Sequence, residues 1–334
     1  MTAVADDART DHARPAAIGG VPLALLSAVS FSLAGALARP LFDAGWSPGA
    51  VVLVRMSLGA LAVLPFALRS LARRWHLLRA GLPTLVVYGV LAVAGAQFCY
   101  FSAVQHMQVG PALMIEYTSP AAVVGWLWWR HGQRPGRLTV AGALVAALGL
   151  LLVLDLFSGA DLSSVGVAWA MAAMVGGAAH FVVSADDRSG LPPMVLAGGG
   201  LVVGTVVLGT LALVGALPMT ASTSSMAYAG VRVTWWVPLL ALGLVTSAMA
   251  YATGIGAARA LGSRLASFVA LSEVVAAVLW AWALLGELPS LVQLAGGALI
   301  LVGVVGVKLG EPALADISPE IPEIGPEVSA GPAA

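Results

Sequence analysis

The sequence predicts an all-α integral membrane protein of about ten transmembrane helices, built as two inverted five-helix repeats. Three observations lead there: the composition, the spacing of the apolar runs, and an internal repeat. The chain has 334 residues, 60% of them hydrophobic and 10% charged. Soluble domains carry about 25% charged residues, so this chain has too few to cover a water-facing surface. Its formal net charge of zero argues against a nucleic-acid partner. The single cysteine, Cys99, excludes an intrachain disulfide and reads as a small buried hydrophobe.

A hydrocarbon layer about 30 Å thick takes about 20 helical residues to cross. Apolar runs of that length between polar or Gly/Pro breaks fall at Ile18–Leu37, Pro48–Leu68, Leu82–Val104, Val109–Trp129 and Leu138–Leu156 in the first half. The second half has Val165–Ser184, Pro193–Leu217, Trp235–Gly256, Leu265–Leu285 and Val292–Leu309. The breaks between spans three and four and between eight and nine are short, so each of these pairs is expected to form an antiparallel hairpin. Residues 1–17 read as a polar N-terminal tail rather than a cleaved signal, because the apolar run behind them is itself span-length. Residues 310–334 are rich in Pro, Ala and acids and read as a disordered tail.

Basic residues set the orientation. With the N-terminus inside, the cytoplasmic loops and ends collect Arg69, Arg73, Arg74, Arg79, Arg130, Arg134, Arg137, Arg188, Arg259, Arg264 and Lys308, while only Arg39 and Arg232 fall on the other face. Both termini are thereby placed in the cytoplasm, with the chain in the cell membrane.

Sliding the chain against itself by 154 residues aligns Ala103 with Ala257, Ala112 with Ala266, Ala122 with Ala276, Trp126 with Trp280 and Trp128 with Trp282. The register continues through Gly132/Gly286, Pro135/Pro289, Gly142/Gly296 and Gly149/Gly303 without a gap. The domains that follow are residues 18–156 and 165–309. An odd number of spans per copy makes the second copy enter from the opposite side, the arrangement that allows a central cavity to open alternately to each face.

Ionisable residues inside a bilayer cost about 2.5–3.5 kcal/mol each even on the insertion scale. Arg55, Glu116 and Glu273 lie well inside predicted spans. The position equivalent to Glu273 is 119, within a turn of Glu116, so the two carboxylates occupy related faces of spans four and nine. They are candidates to bind a proton or a cationic group of a substrate. Arg55 is a candidate for an anionic group, or else a partner for either carboxylate. Pro120 leaves the Glu116 carbonyl without its helical donor and is a candidate hinge. Tyr117, Gln97, Tyr100 and Tyr251 could line the same cavity, or serve as interhelical hydrogen bonds. His180 reads as a structural histidine, and Glu287 and Asp155 as interfacial. Gly200-xxx-Gly204 and the run Gly296, Gly297, Gly303 are close-packing signals. Trp126, Trp128, Trp129, Trp235 and Trp236 read as membrane-interface anchors.

The order and spacing of these features resemble the drug/metabolite transporter superfamily, specifically its EamA-like permeases. The resemblance rests on Arg55 in span two, the stretch Ala103 to Pro120 ending Glu116-Tyr117-Thr118-Ser119-Pro120, and Leu271-Ser272-Glu273-Val274. It also rests on Leu285-Gly286-Glu287 followed by Gly296 and Gly303. Val274 stands where the family often has proline, and Gln133 where it often has an acid. The resemblance implies a ten-helix permease for small metabolites, often amino-acid-like compounds or drugs, commonly moved outward.

No phosphate-cradling loop, metal cluster or nucleophile–base pattern appears, so no cofactor and no enzymatic activity are expected. The expected function is secondary active transport, with a small molecule and the lipid bilayer as partners and protons as the coupling ion. An uncoupled facilitator is the alternative within transport, and an intramembrane lipid-modifying enzyme a remote one. The sequence leaves substrate, direction and oligomeric state, a homodimer included, open.

Overall fold

A computed structural model describes residues 7–72, 74–119, 122, 136–153, 163–184, 190–254, 257 and 269–310. They are predominantly helical. The longer helices are α1 (Asp7–Asp43), α2 (Pro48–Leu71), α3 (Trp75–His106), α4 (Val109–Glu116), α5 (Arg137–Val153), α6 (Ser164–Ser184), α7 (Pro193–Leu213), α8 (Trp236–Gly254), α9 (Ser272–Leu285) and α10 (Leu291–Gly310). Five stretches are long and apolar enough to cross a membrane: Gly20–Asp43, α2, α3, Met194–Leu213 and α8. Within the described residues α5, α9 and parts of α6 and α10 are shorter apolar helices.

The elements begin and end where local chemistry directs. Ser47 caps α2, accepting from the Ala50 amide at 3.3 Å, and Pro48 fills the first turn, where no amide hydrogen is needed. Ser290 and Gln293 form a reciprocal capping box on α10 at 3.0 and 3.2 Å. α9 ends at Gly286, whose φ of +70° closes the helix with bonds back to Trp282 and Ala281. α1 starts at Asp7, ahead of the expected Ile18. Hydropathy marks the stretch that suits lipid and is blind to polar turns that continue the helix beyond it.

Every prominent contact between helices α1–α5 and helices α6–α10 has a counterpart with the halves exchanged. α3 packs on α6 as α8 does on α1; α1 packs on α9 as α6 does on α4; and α2 packs on α8 as α7 does on α3. The pairs α2–α7, α4–α9 and α5–α10 are their own counterparts.

The closest of these crossings is α5–α10, which runs antiparallel. A Cβ at Gly142 would lie 2.5 Å from the Val307 amide nitrogen and 2.6 Å from the Gly303 carbonyl. One at Gly149 would lie 2.6 Å from the Gly296 carbonyl. The glycines that align in the repeat thus meet reciprocally, 142 with 303 and 149 with 296, backbone on backbone. Elsewhere, Gly200 receives the Tyr88 ring, Gly204 the Met56 sulfur and Gly297 the Met114 side chain. The small-residue signals are packing surfaces, as expected.

Two features lie outside what hydropathy can register. α3 carries a π-helical segment at Tyr88–Gly95 and α8 one at Leu244–Met249, which overlap and end together in the 154-residue register. The α7–α8 connection also contains a β-hairpin, β1 (Met226–Tyr228) and β2 (Val231–Val233), with Met226 opposite Val233. This corrects the all-α expectation locally. Ala229 and Gly230 form its two-residue turn with φ of +47° and +80°, the left-handed pair that tight hairpins demand.

The hairpin segment is tied down at several points. The Ala229 amide donates to the Leu284 carbonyl of α9 at 2.9 Å, and the Tyr228 hydroxyl to the Leu37 carbonyl of α1 at 2.6 Å. The Trp46 indole donates to Ser222, and Trp46 and Trp235 stack with centroids 6.1 Å apart. Trp235 thereby packs against this segment. The hairpin borders a cleft of about 680 Å³ that also touches Arg39, Asp43 and Glu287.

Candidate functional site

Arg55 projects from the middle of α2 and is 3% exposed. Its Nε donates to Thr246 Oγ1 at 3.1 Å and its Nη2 to the Thr246 carbonyl at 2.9 Å. Its Nη1 donates to Gln97 Oε1, and the guanidinium carbon lies 5.3 Å from the centre of the Phe101 ring. The arginine is thus held among α2, α3 and α8 and does not snorkel to an interface. Among the described residues the only ion pair within 4.0 Å is Arg39–Asp43. The expected alternative of a direct bridge from Arg55 to Glu116 or Glu273 is not formed.

Thr246 lies within the π-segment of α8 and meets Arg55 with both its hydroxyl and its carbonyl oxygen. The Thr246 hydroxyl meanwhile donates to the Leu242 carbonyl at 2.8 Å. Its hydrogen is spent there, so its lone pair faces Arg55 Nε.

On the other side of the centre, α4 and α9 meet. The Tyr117 hydroxyl lies 2.7 Å from Glu273 Oε2, to which it donates. Glu273 and Glu116 are both half-buried. Glu116 approaches α6 near Gly177. α4 stops at Glu116, and the backbone tightens at Tyr117, where ψ is 0°. The expected hinge Pro120, like Trp126, Trp128, Trp129 and Asp155, lies outside the described residues.

The remaining expected residues divide between the two sides. Gln97 meets Arg55, and Gln97 and Tyr251 occupy equivalent positions in the 154-residue register. Tyr251 is held edge-on by Phe31 at 5.1 Å. Tyr100 is buried against Gly35 of α1 and Phe101. His180 lies outside this group, with Nδ1 3.1 Å from the Tyr88 hydroxyl at the start of the α3 π-segment.

Sequence reasoning missed Thr246 and Phe101 as the residues that hold Arg55. A threonine in an apolar span carries no distinguishing mark, and the π-segment around it has no signature in residue type.

Toward the hairpin face, two charged side chains serve the ends of the α3–α4 pair. Arg39 Nη1 donates to the carbonyls of Val104 and Met107 at 3.0 and 3.1 Å, a cation at a helix C-terminus. Glu287 Oε2 accepts from the Val109 amide at 3.3 Å, an anion at a helix N-terminus. Glu287 follows α9, outside the spans. Burial pushes its carboxyl above the ordinary carboxylate value, against the pull of the Val109 amide and Arg39.

A helical membrane protein whose two halves contact one another reciprocally, with ionisable side chains gathered where they meet, has the architecture of a repeat-built carrier. The chain belongs to the EamA-like transporter family, whose description matches residues 18–155 and 164–309. It is 28% identical over 295 residues to the pseudopaline exporter CntI of Pseudomonas aeruginosa strain UCBPP-PA14, covering 86% of this chain and 95% of that protein. It is 27% identical over 300 residues to the threonine/homoserine exporter RhtA of Escherichia coli K12, covering 86% and 92%. A solved crystal structure superposes with a TM-score of 0.57 at 22% identity, covering 86% of this chain and 96% of that one, a likeness of fold alone.

Proposed function

We propose that this chain is a secondary active transporter working by alternating access between two inverted five-helix repeats. On this reading it is a proton-coupled exporter of amino acids, related metabolites or drugs. The observation that carries it is the gathering of one buried cation and two carboxylates from both halves, α2 and α4 from the first and α9 from the second. The reciprocal α5–α10 glycines, the paired π-segments and the exchanged helix contacts support the inverted repeat. The exporter names borne by the relatives support the direction and the amino-acid-like substrate class.

Glu116 and Glu273 are the proton-binding groups, and Arg55 takes an anionic group of the substrate. Gln97, Tyr100, Tyr117 and Tyr251 line the path, and Pro120 supplies its hinge. The hairpin face is the outer one in the cell membrane, with both termini in the cytoplasm.

An efflux screen in cells overproducing the protein identifies what is exported. Transport in proteoliposomes then responds to an imposed pH gradient, and Glu116→Gln or Glu273→Gln removes that response. Transport whose pH dependence survives both substitutions would favour an uncoupled facilitator. The Tyr117–Glu273 bond, which ties α4 to α9 on its own, is the observation that keeps this second reading in view.

A further inference from the structure

We propose that Thr246 is a positioning residue: it fixes Arg55 from one side so that the guanidinium presents an N–H from each terminal nitrogen to a single carboxylate group of the substrate. The inference rests on the reading of this centre as the transport site and goes further in naming the group that Arg55 recognises and the residue that aims it.

A guanidinium has five N–H donors in a fixed plane. Three are spent, on the Thr246 hydroxyl, the Thr246 carbonyl and Gln97. One N–H on each terminal nitrogen remains without an acceptor among the described residues. Thr246 takes the Nε side of the plane with both of its oxygens, and Phe101 lies 5.3 Å from the guanidinium carbon. The plane therefore can neither rotate nor tilt freely. A carboxylate spans two such donors in the paired geometry that arginine favours.

The hold is directional. Thr246 is fully buried, and its hydroxyl is oriented by the Leu242 carbonyl. With its hydrogen given to Leu242, the hydroxyl meets Arg55 Nε as an acceptor. The position equivalent to Thr246 in the first half is Ala92, inside the matching π-segment of α3. The repeated backbone is thus used for chemistry in one copy only, which a purely packing role for the π-segment would not require.

The test is counterflow into proteoliposomes with L-threonine and its amide, L-threoninamide, as probes. Wild type is expected to take up the acid with a lower half-saturation concentration than the amide. Thr246→Val, close in shape but without the hydroxyl, raises half-saturation for L-threonine about tenfold. It leaves the maximal rate within about threefold and the amide unaffected. Thr246→Ser restores the wild-type value to within about twofold, and Thr246→Ala repeats the valine result with a smaller side chain. An equal loss for acid and amide would be the mark of damaged packing and would overturn the proposal. So would equal half-saturation for the two probes in wild type, a result that leaves export of other solutes standing. If no solute in the efflux screen depends on the chain, the transport reading itself fails, and this inference with it.

Discussion

The α5–α10 crossing and the α2–α8 crossing both join the halves through glycine, yet they are built to opposite ends. At α5–α10 the glycines face backbone: Gly142 meets the main chain of residues 303, 306 and 307, and Gly149 that of 296 and 300. Nothing there can swing aside. At α2–α8, Gly59 meets the Ser247 side chain and Gly243 the Leu58 side chain, and one turn away Arg55 is held by hydrogen bonds and the Phe101 ring. Small residues in a membrane can therefore make a fixed seam or leave room for polar groups to rearrange. What they face decides which.

The sharpest way to break the contrast is to add one methyl group to each crossing. Gly142→Ala places a Cβ against three backbone atoms at 2.5–2.8 Å. It is expected to cost about 2–3 kcal/mol, even after the roughly 1 kcal/mol that alanine gains in a helix. Gly59→Ala, whose nearest neighbour is the Ser247 Cβ at 2.8 Å with the next atoms at 3.6 Å, is expected to cost about 1 kcal/mol. Gly209→Ala, with only Leu53 at 3.9 Å, is the unobstructed control and is expected to gain up to about 1 kcal/mol. Thermal unfolding in detergent ranks the three. Equal losses at 142 and 59 would show that the seam is no more rigid than the centre.

The hairpin gives a smaller effect. Tyr228→Phe removes the bond to the Leu37 carbonyl and should lower stability by about 1 kcal/mol in the same melt. Transport chemistry at Arg55 should be untouched.

The smallest effect is a slope with pH. Burial raises the Glu287 pKa above its unfolded value, so folding favours the protonated form. The stability this contributes is present below the ordinary carboxylate pKa and lost as pH rises through the raised one. Wild type should therefore weaken relative to Glu287→Gln over that window and run parallel to it on either side. Melts across pH 4–8 would expose a flat difference, which would contradict the assignment.

Much of this was legible in the sequence, because lipid imposes a length and a polarity that residues cannot disguise. Five described helical stretches that fall on the expected apolar runs are long and apolar enough to cross a membrane, and the glycines of α5 and α10 aligned by the repeat are those that touch. Arg55, Glu273, Tyr117, Gln97 and Tyr251 do come to the centre of the bundle. Three things were not legible. One partner of Arg55 is a backbone carbonyl within a π-segment, and backbone geometry leaves no trace in hydropathy. The ends of α1 extend into polar sequence, where helix and loop look alike. The hairpin is too short for a period-two pattern to stand out, although Ala229-Gly230 is the kind of dipeptide that such turns use.

The seam has one more property. Position 142 corresponds to 296 and position 149 to 303, while the contacts pair 142 with 303 and 149 with 296. Exchanging the two halves returns the same set of pairs. A surface of this kind is its own complement after a half-turn, so one stretch of sequence, written twice, suffices to specify it. A change at 142 is therefore met by 303, the counterpart of 149, so each rung of one ladder faces the other rung's copy.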